Sequence, residues 1–316
     1  AYKINKRDIF MSILPIAHTY EMSIGMLYPF AMGSKVCYLQ KMPTPTVLVT
    51  SLKKVRPTVM LSVPLIIEKM YRNSVVPTIE KSKFLQYLQK NIPWLLYLLV
   101  GTKLKKTFGG RIGFFGIGGA KLDPTVEAFL KKVRFPYAIG YGLTETAPLI
   151  CNASPFKTAV GSTGIAAYGV QIKLEKEVLS KDGWFHTGDL ASVDKKGKYY
   201  IKGRMGTVII GASGENIYPE EIENVINNIE DITESLVVQR SGNLVALVRF
   251  NENIIDWDLE GQDRFIDDLE AKKKAILEMV NSKVSRFSKI NSVEIQKEPF
   301  IKTATHKIKR FLYEKK

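Results

Sequence analysis

The sequence predicts an α/β chain, with a larger mixed α/β N-terminal lobe followed by a small α+β C-terminal domain. Three observations carry this reading. Strand-like apolar runs alternate with helical runs through the first two thirds of the chain, three of those runs end in glycine turns, and past Arg204 the pattern changes character. The 316 residues also exceed what one hydrophobic core usually serves, which points to two domains. The boundary is placed near 203–207, giving domains 1–203 and 204–316.

Taken in order, residues 10–40 read strand, helix, strand, in the runs FMSILPIAH, IGMLYPFAMG and SKVCYL. VRPTVMLSVP (55–64) repeats the rhythm as a proline-bounded buried strand, and a short helix over 65–71 follows. Residues 78–107 form a basic amphipathic helical segment. The run 111–133 is a strand, a glycine-rich turn and a helix opened by Asp123-Pro124, with the proline suited to the first turn. FPYAIGYGLTETAPLI (135–150) repeats strand and glycine turn. Two hairpins are expected over 181–204, turning at Asp182-Gly183 and Lys196-Gly197. The C-terminal domain should hold VIIG, a helix over 219–228, strands over 235–240 and 244–250, an acidic stretch over 252–270, a helix over 270–286 and a last strand over 293–296.

Composition sets limits. A 45% apolar content with only 2 Cys excludes a disordered chain, a collagen and a disulfide scaffold. Cys37 and Cys151 belong to no CxxC pair or Cys/His cluster, so structural zinc is not expected and a reducing compartment is. The longest apolar run, 92–101, is about half of what a bilayer span needs. No signal-peptide pattern is visible at the start, and the expected location is cytoplasmic. The formal charge is +15, and residues 1–110 alone carry 16 basic against 4 acidic residues. Such a block suits an anionic partner: a nucleotide, an acidic cofactor, a lipid surface or nucleic acid. For the lysine-rich segment 81–106 two readings stand, a core-facing helical hairpin with solvated lysines or peripheral contact with a membrane or lipid-like substrate. Nucleic acid is disfavoured, because Trp94 and Tyr97 sit in an apolar cluster rather than among basic residues.

The glycine turns follow apolar strands, where α/β sheets place ligands. In GIGGA (116–120), missing side chains let backbone approach a flat or anionic ligand, although a plain tight turn explains the same residues. YGLTET (141–146) brings together an aromatic ring, two hydroxyls and a carboxylate, which suits base stacking, phosphate hydrogen bonding and a magnesium ligand. It also suits a helix N-terminus with Thr144 as N-cap. Asp189, after a glycine turn, could accept two ribose hydroxyl protons or be an ordinary turn aspartate. His18 reads equally as a satisfied core residue, and the C-terminal lysines as a solvated tail.

In this order, GIGGA, YGLTET, GWFHTGDL (183–190), IKGR (201–204), SGENIYPEEIE (213–223) and KTATHKIKR (302–310) resemble the adenylate-forming superfamily. LPIAHTYE (14–21) and the basic helical segment are most similar to its long-chain fatty acid–CoA ligases. The resemblance implies a two-step activity with ATP and coenzyme A as co-substrates and Mg2+ as the metal. Tyr141 and Gly142 would meet adenine, Gly118, Gly119 and Ala120 would line the base pocket, Thr144 would bond the α-phosphate, and Glu145 would hold magnesium. Asp189 and Arg204 would grip the ribose, Lys307 would reach the reacting carboxylate and α-phosphate with Lys302 as its rival, His18 would border the thiol tunnel, and Gly214 would lie beside the pantetheine chain. Three departures stand out: the Ser/Thr/Gly-rich phosphate loop expected upstream of LPIAH and further strands after QIKLE (171–175) are missing, so the large lobe is expected to be incomplete; His306 replaces the usual glycine; and Thr207 stands at the hinge where a charged or amide residue is usual. The alternatives are an aryl acid or carrier-protein ligase, or a catalytically silent fragment that binds anions or membrane.

Overall fold

A computed structural model describes residues 2–39, 44–174, 184–211, 215–229, 231–251, 254–255, 257, 263–303 and 308–314. The chain forms two compact units, one of residues 1–187 and 191–201, the other of residues 188–190 and 202–316.

The first unit is built on a sheet in which five strands run parallel: Ile9–Ser12 (β1), Lys35–Tyr38 (β2), Val59–Ser62 (β3), Phe114–Ile117 (β4) and Tyr137–Tyr141 (β5). Two short antiparallel strands, Cys151–Asn152 (β6) and Ile165–Ala166 (β7), complete the order β2-β1-β3-β4-β5-β6-β7. Successive side chains alternate between faces. Met11, Met60 and Phe115 join one core with Leu48, Leu52, Leu104, Leu130 and their neighbours, whereas Phe10 and Val59 pack with Ile4 on the opposite side.

The expected strand, helix, strand over 10–40 is present, its helical part being a π-helical stretch Glu21–Leu27 continued by Tyr28–Ala31 (α1). Pro45–Val55 (α2) is a helix the sequence reading left unassigned; the Thr44 hydroxyl caps it by accepting from the Val47 N–H, and Pro45 opens its first turn. After Pro64–Met70 (α3), the single segment expected over 78–107 divides into Val76–Glu80 (α4), Lys83–Asn91 (α5) and Pro93–Thr107 (α6). Ser82 caps α5 and Pro93 opens α6, so each break has a local cause. Pro124–Lys132 (α7) begins at Asp123, whose carboxylate accepts from the Val126 N–H at 2.9 Å.

Strands Asp189–Val193 (β8) and Tyr199–Arg204 (β9) pair around a turn in which Asp194 accepts from the Lys196 and Lys198 amides and Gly197 takes a φ of +72°. The expected turn at Asp182-Gly183 lies outside the described residues.

In the second unit, Ile209–Ile210 (β10) pairs with Asn216–Ile217 (β11), and Pro219–Ile226 (α8) follows. Ile232–Arg240 (β12) and Asn243–Phe250 (β13) are antiparallel, and Ser292–Ile295 (β14) joins β13 in parallel after the crossover helix Asp263–Lys283 (α9). The reading of 252–270 as an acidic stretch is therefore corrected in part, since α9 starts seven residues before the expected 270. Asp267, Asp268, Glu270 and Glu278 are exposed, while Phe265, Ile276 and Val280 pack inward with Ile222, Ile226 and Val237. Among the described residues, no helix is long and apolar enough to cross a membrane.

Candidate functional site

Parallel strands put all their C-terminal ends on one edge, and the order β2-β1-β3 makes the chain leave β1 in opposite directions on its two sides. Residues after β1, β3, β4 and β5 therefore share that edge. Four of the sequence-derived stretches lie there: His18, 118–120, Tyr141-Gly142 and Thr144-Glu145.

The turn after β4 is tied to β3 by the Gly118 N–H, which donates to the Ser62 carbonyl at 3.1 Å. Gly118 is buried and Gly119 and Ala120 are exposed, with Gly119 at a φ of +85° that favours glycine. Tyr20, which the sequence reading did not single out, packs beneath this turn: a Cβ on Gly118 would come 3.3 Å from its ring. The absence of side chains at 116 and 118 thus serves the Tyr20 ring as well as any ligand.

Tyr141 is half-buried at the end of β5, paired with Cys151. At Gly142 any Cβ would collide with the Pro148 carbonyl oxygen, so the chain turns there only without a side chain. Thr144–Thr146 is a single 3-10 turn, which corrects the reading of Thr144 as an N-cap; Leu143 precedes the turn, and the Thr146 hydroxyl accepts from the Leu143 N–H at 3.0 Å. Thr144 and Glu145 are exposed. Among the described residues no three His, Cys, Asp or Glu side chains converge on one point. A lone exposed carboxylate fits a magnesium ion, which commonly takes one or two carboxylates and completes its shell with phosphates and water.

His18 is half-buried and its Nδ1 accepts from the Tyr20 N–H at 3.2 Å. Glu21 is 1% exposed, and its Oε2 has no hydrogen-bond partner among the described residues. Burial pushes its carboxyl up to about 7, against a weaker opposing bond from Ser12. Nothing local in LPIAHTYE marks this glutamate as buried.

The second unit brings Asp189 and Arg204 together: the guanidinium Nε donates to Asp189 Oδ1 at 3.0 Å, with the carboxylate side chain 5% exposed and the arginine 52%. The Met205 N–H donates to the Gly188 carbonyl and holds the pair's two segments side by side. Thr207 closes the next turn by donating to Glu220 Oε1 at 2.7 Å, so a neutral side chain at the expected hinge still engages a carboxylate. Glu220 and Glu223, one helical turn apart on α8, face Arg310. Burial pushes the Glu223 carboxyl up, and Arg310 opposes that rise. Lys302 forms an ion pair with Glu234 and bridges to Ile308. Lys307 and Gly214 lie outside the described residues.

Residues 1–204 match the family described as AMP-binding enzyme. The chain belongs to this family. Curated relatives include the Long-chain-fatty-acid--CoA ligase ACSBG2 of Gallus gallus, 26% identical over 339 residues, covering 91% of this chain and 44% of that protein. The peroxisomal Long chain acyl-CoA synthetase 7 of Arabidopsis thaliana is also 26% identical, over 377 residues, covering 96% of this chain and 53% of that one. The chain spans about half the length of the curated relatives it matches. Among solved structures, o-succinylbenzoate CoA synthetase from Bacillus subtilis, in complex with its acyl-adenylate intermediate, superimposes with a TM-score of 0.71 at 18% identity, over 99% of this chain and 62% of that chain. The same synthetase has been solved with ATP and magnesium ion, with a TM-score of 0.68 at 17% identity, over 98% of this chain and 62% of that chain. The likeness establishes the α/β fold.

Proposed function

We propose that the protein activates a long-chain fatty acid with ATP, releasing pyrophosphate, and transfers the acyl group to coenzyme A, releasing AMP. The carrying observation is the strand-end edge, where the turns after β4 and β5 set GIGGA and YGLTET side by side in a chain of the AMP-binding family. The names of the curated relatives support a long-chain fatty acid over the o-succinylbenzoate named for the solved neighbour.

In the first step a carboxylate oxygen of the acid attacks the α-phosphorus, and the bond to the bridging oxygen breaks as pyrophosphate leaves with the electron pair. Tyr141 would stack on the adenine over Gly142, with 118–120 along the base. Asp189 would accept from the ribose hydroxyls beside Arg204, and the Thr144 hydroxyl would donate to the α-phosphate. Magnesium, held by Glu145 and the phosphates, would supply charge stabilisation. The ammonium of Lys307 would meet the negative charge gathering on the phosphorus-bound oxygens.

In the second step the coenzyme A sulfur attacks the acyl carbon, the bond to the AMP phosphate oxygen breaks, and the thiol proton passes to water. That step has no use for Lys307. The small domain would turn about 203–207 to present 213–215, Gly214 included, to the pantetheine chain, with His18 bordering the thiol's path.

The test uses the full-length protein. Lys307→Ala should lower acid-dependent ATP–pyrophosphate exchange by orders of magnitude while thioester formation from supplied acyl-adenylate survives. Equal loss in both halves, or a preference for aryl acids across an acyl panel, overturns the respective part of the reading.

A further inference from the structure

We infer that the outer face of the α5–α6 hairpin docks on an anionic lipid surface. From residue 81 to 122 the chain holds eight Lys and Arg and no Asp or Glu. The hairpin's inner stripe, Leu88, Leu96 and Leu104, is buried, and Gly101 lies so close to Val133 that a Cβ would collide with its carbonyl oxygen. That packing fixes which side faces out. On the outside stand Phe84, Tyr87, Trp94 and Leu98, at 61%, 59%, 68% and 58% exposure. They recur at i, i+3 on α5 and at i, i+4 on α6, so each pair shares a helix face. Lys83, Lys90, Lys103 and Lys106 are exposed on the same helices.

Single exposed apolar residues are ordinary, but large aromatic and aliphatic side chains interleaved with lysines match a helix that lies in a membrane interface. Aromatic rings settle at headgroup depth while lysine stems let the ammonium groups reach phosphate. The charge decides the partner. Lysines with no acid on α5 or α6 repel a second copy of the same face, and although the exposed rings could also stack on bases, Leu98 beside Trp94 gains only from an apolar boundary. A bilayer carrying anionic headgroups satisfies both components. The inference is independent of the adenylating activity.

The experiment is flotation of the full-length protein with vesicles of phosphatidylcholine, alone or mixed with phosphatidylglycerol. Binding to the mixed vesicles only, weakening with salt, is expected. The double change Lys103→Glu with Lys106→Glu should lower binding at least about 25-fold, because each basic residue near such a surface contributes about fivefold. Trp94→Ser should weaken binding at unchanged charge and abolish the blue shift of tryptophan emission on adding vesicles. Both variants change exposed side chains, and a thermal melt like that of the parent establishes their folding. No vesicle binding, binding indifferent to these changes, a dimer that Trp94→Ser dissociates, or RNA binding lost with the lysines would each overturn the inference.

Discussion

The Arg310 guanidinium meets the Glu223 carboxylate at 2.8 Å and also donates to the Val237 carbonyl at 2.7 Å. Both side chains are mostly buried, and the Val237 N–H donates to the same carboxylate, so the C-terminal segment is fastened to α8 and β12 together. Removing one partner leaves the other charge buried without compensation. Arg310→Ala should therefore destabilise the protein by about 3 kcal/mol, with Arg310→Lys recovering part of it, as read from urea denaturation. If the alanine variant unfolds at the parent's midpoint, the fastening is not structural.

Glu21 makes a second prediction, about pH. Its carboxyl titrates near 7 in the fold because burial disfavours the anion, while in the unfolded chain it returns to the usual carboxylate range. The contribution is thus fully present at acid pH, falls as the unfolded chain ionises first, and is lost once pH passes the folded value. The difference across that window is about 3 kcal/mol for this one group. Glu21→Gln, which keeps the size but cannot ionise, should flatten this part of the stability profile. A profile that keeps its slope in the glutamine variant would assign the pH dependence elsewhere.

Much of the first unit was legible because each parallel strand is a short apolar run bounded by Gly or Pro, a signal that survives without tertiary context. The helix α2 was missed because PTPTV resembles a loop until Thr44 is recognised as its cap. The first turns of α9 were hidden by their acidic residues, whose inward positions are spaced too sparsely to stand out. At the site, the strand-end turns could be read from glycine spacing, and Asp189 and Arg204 were marked by their motifs. The carboxylates that fasten Arg310 could not be, since Glu223 and Arg310 stand 87 residues apart and no local pattern joins them.

Gly142 carries a third prediction. Its Cβ position is occupied by the Pro148 carbonyl oxygen, a backbone atom that cannot swing aside as a flexible side-chain end would. Gly142→Ala should shift the turn that carries Thr144 and Glu145. Gly119→Ala meets only the Val63 side chain at 3.7 Å and suffers chiefly from its positive φ. The first variant should lose adenylation far more than the second, while the second loses on the order of 1 kcal/mol of stability. Equal activity losses would mean that collision at 142 is relieved without moving the turn.

The Asp189–Arg204 pair gives the last. A carboxylate 5% exposed and bonded to a guanidinium that is itself half open is held in a fixed orientation beside that cation. If it receives two ribose hydroxyl protons, Asp189→Ala should weaken ATP binding by about 2–3 kcal/mol, roughly 30- to 150-fold, since bonds to a charged acceptor exceed neutral ones. Asp189→Asn keeps the shape, loses the charge and should fall between. Titration of ATP and of its 2′-deoxy analogue separates ribose contact from general misfolding: the parent should discriminate against the deoxy form, and Asp189→Ala should lose that discrimination. Nucleotide affinity unchanged in the alanine variant would leave the pair as an ion pair that merely joins β8 to the end of β9.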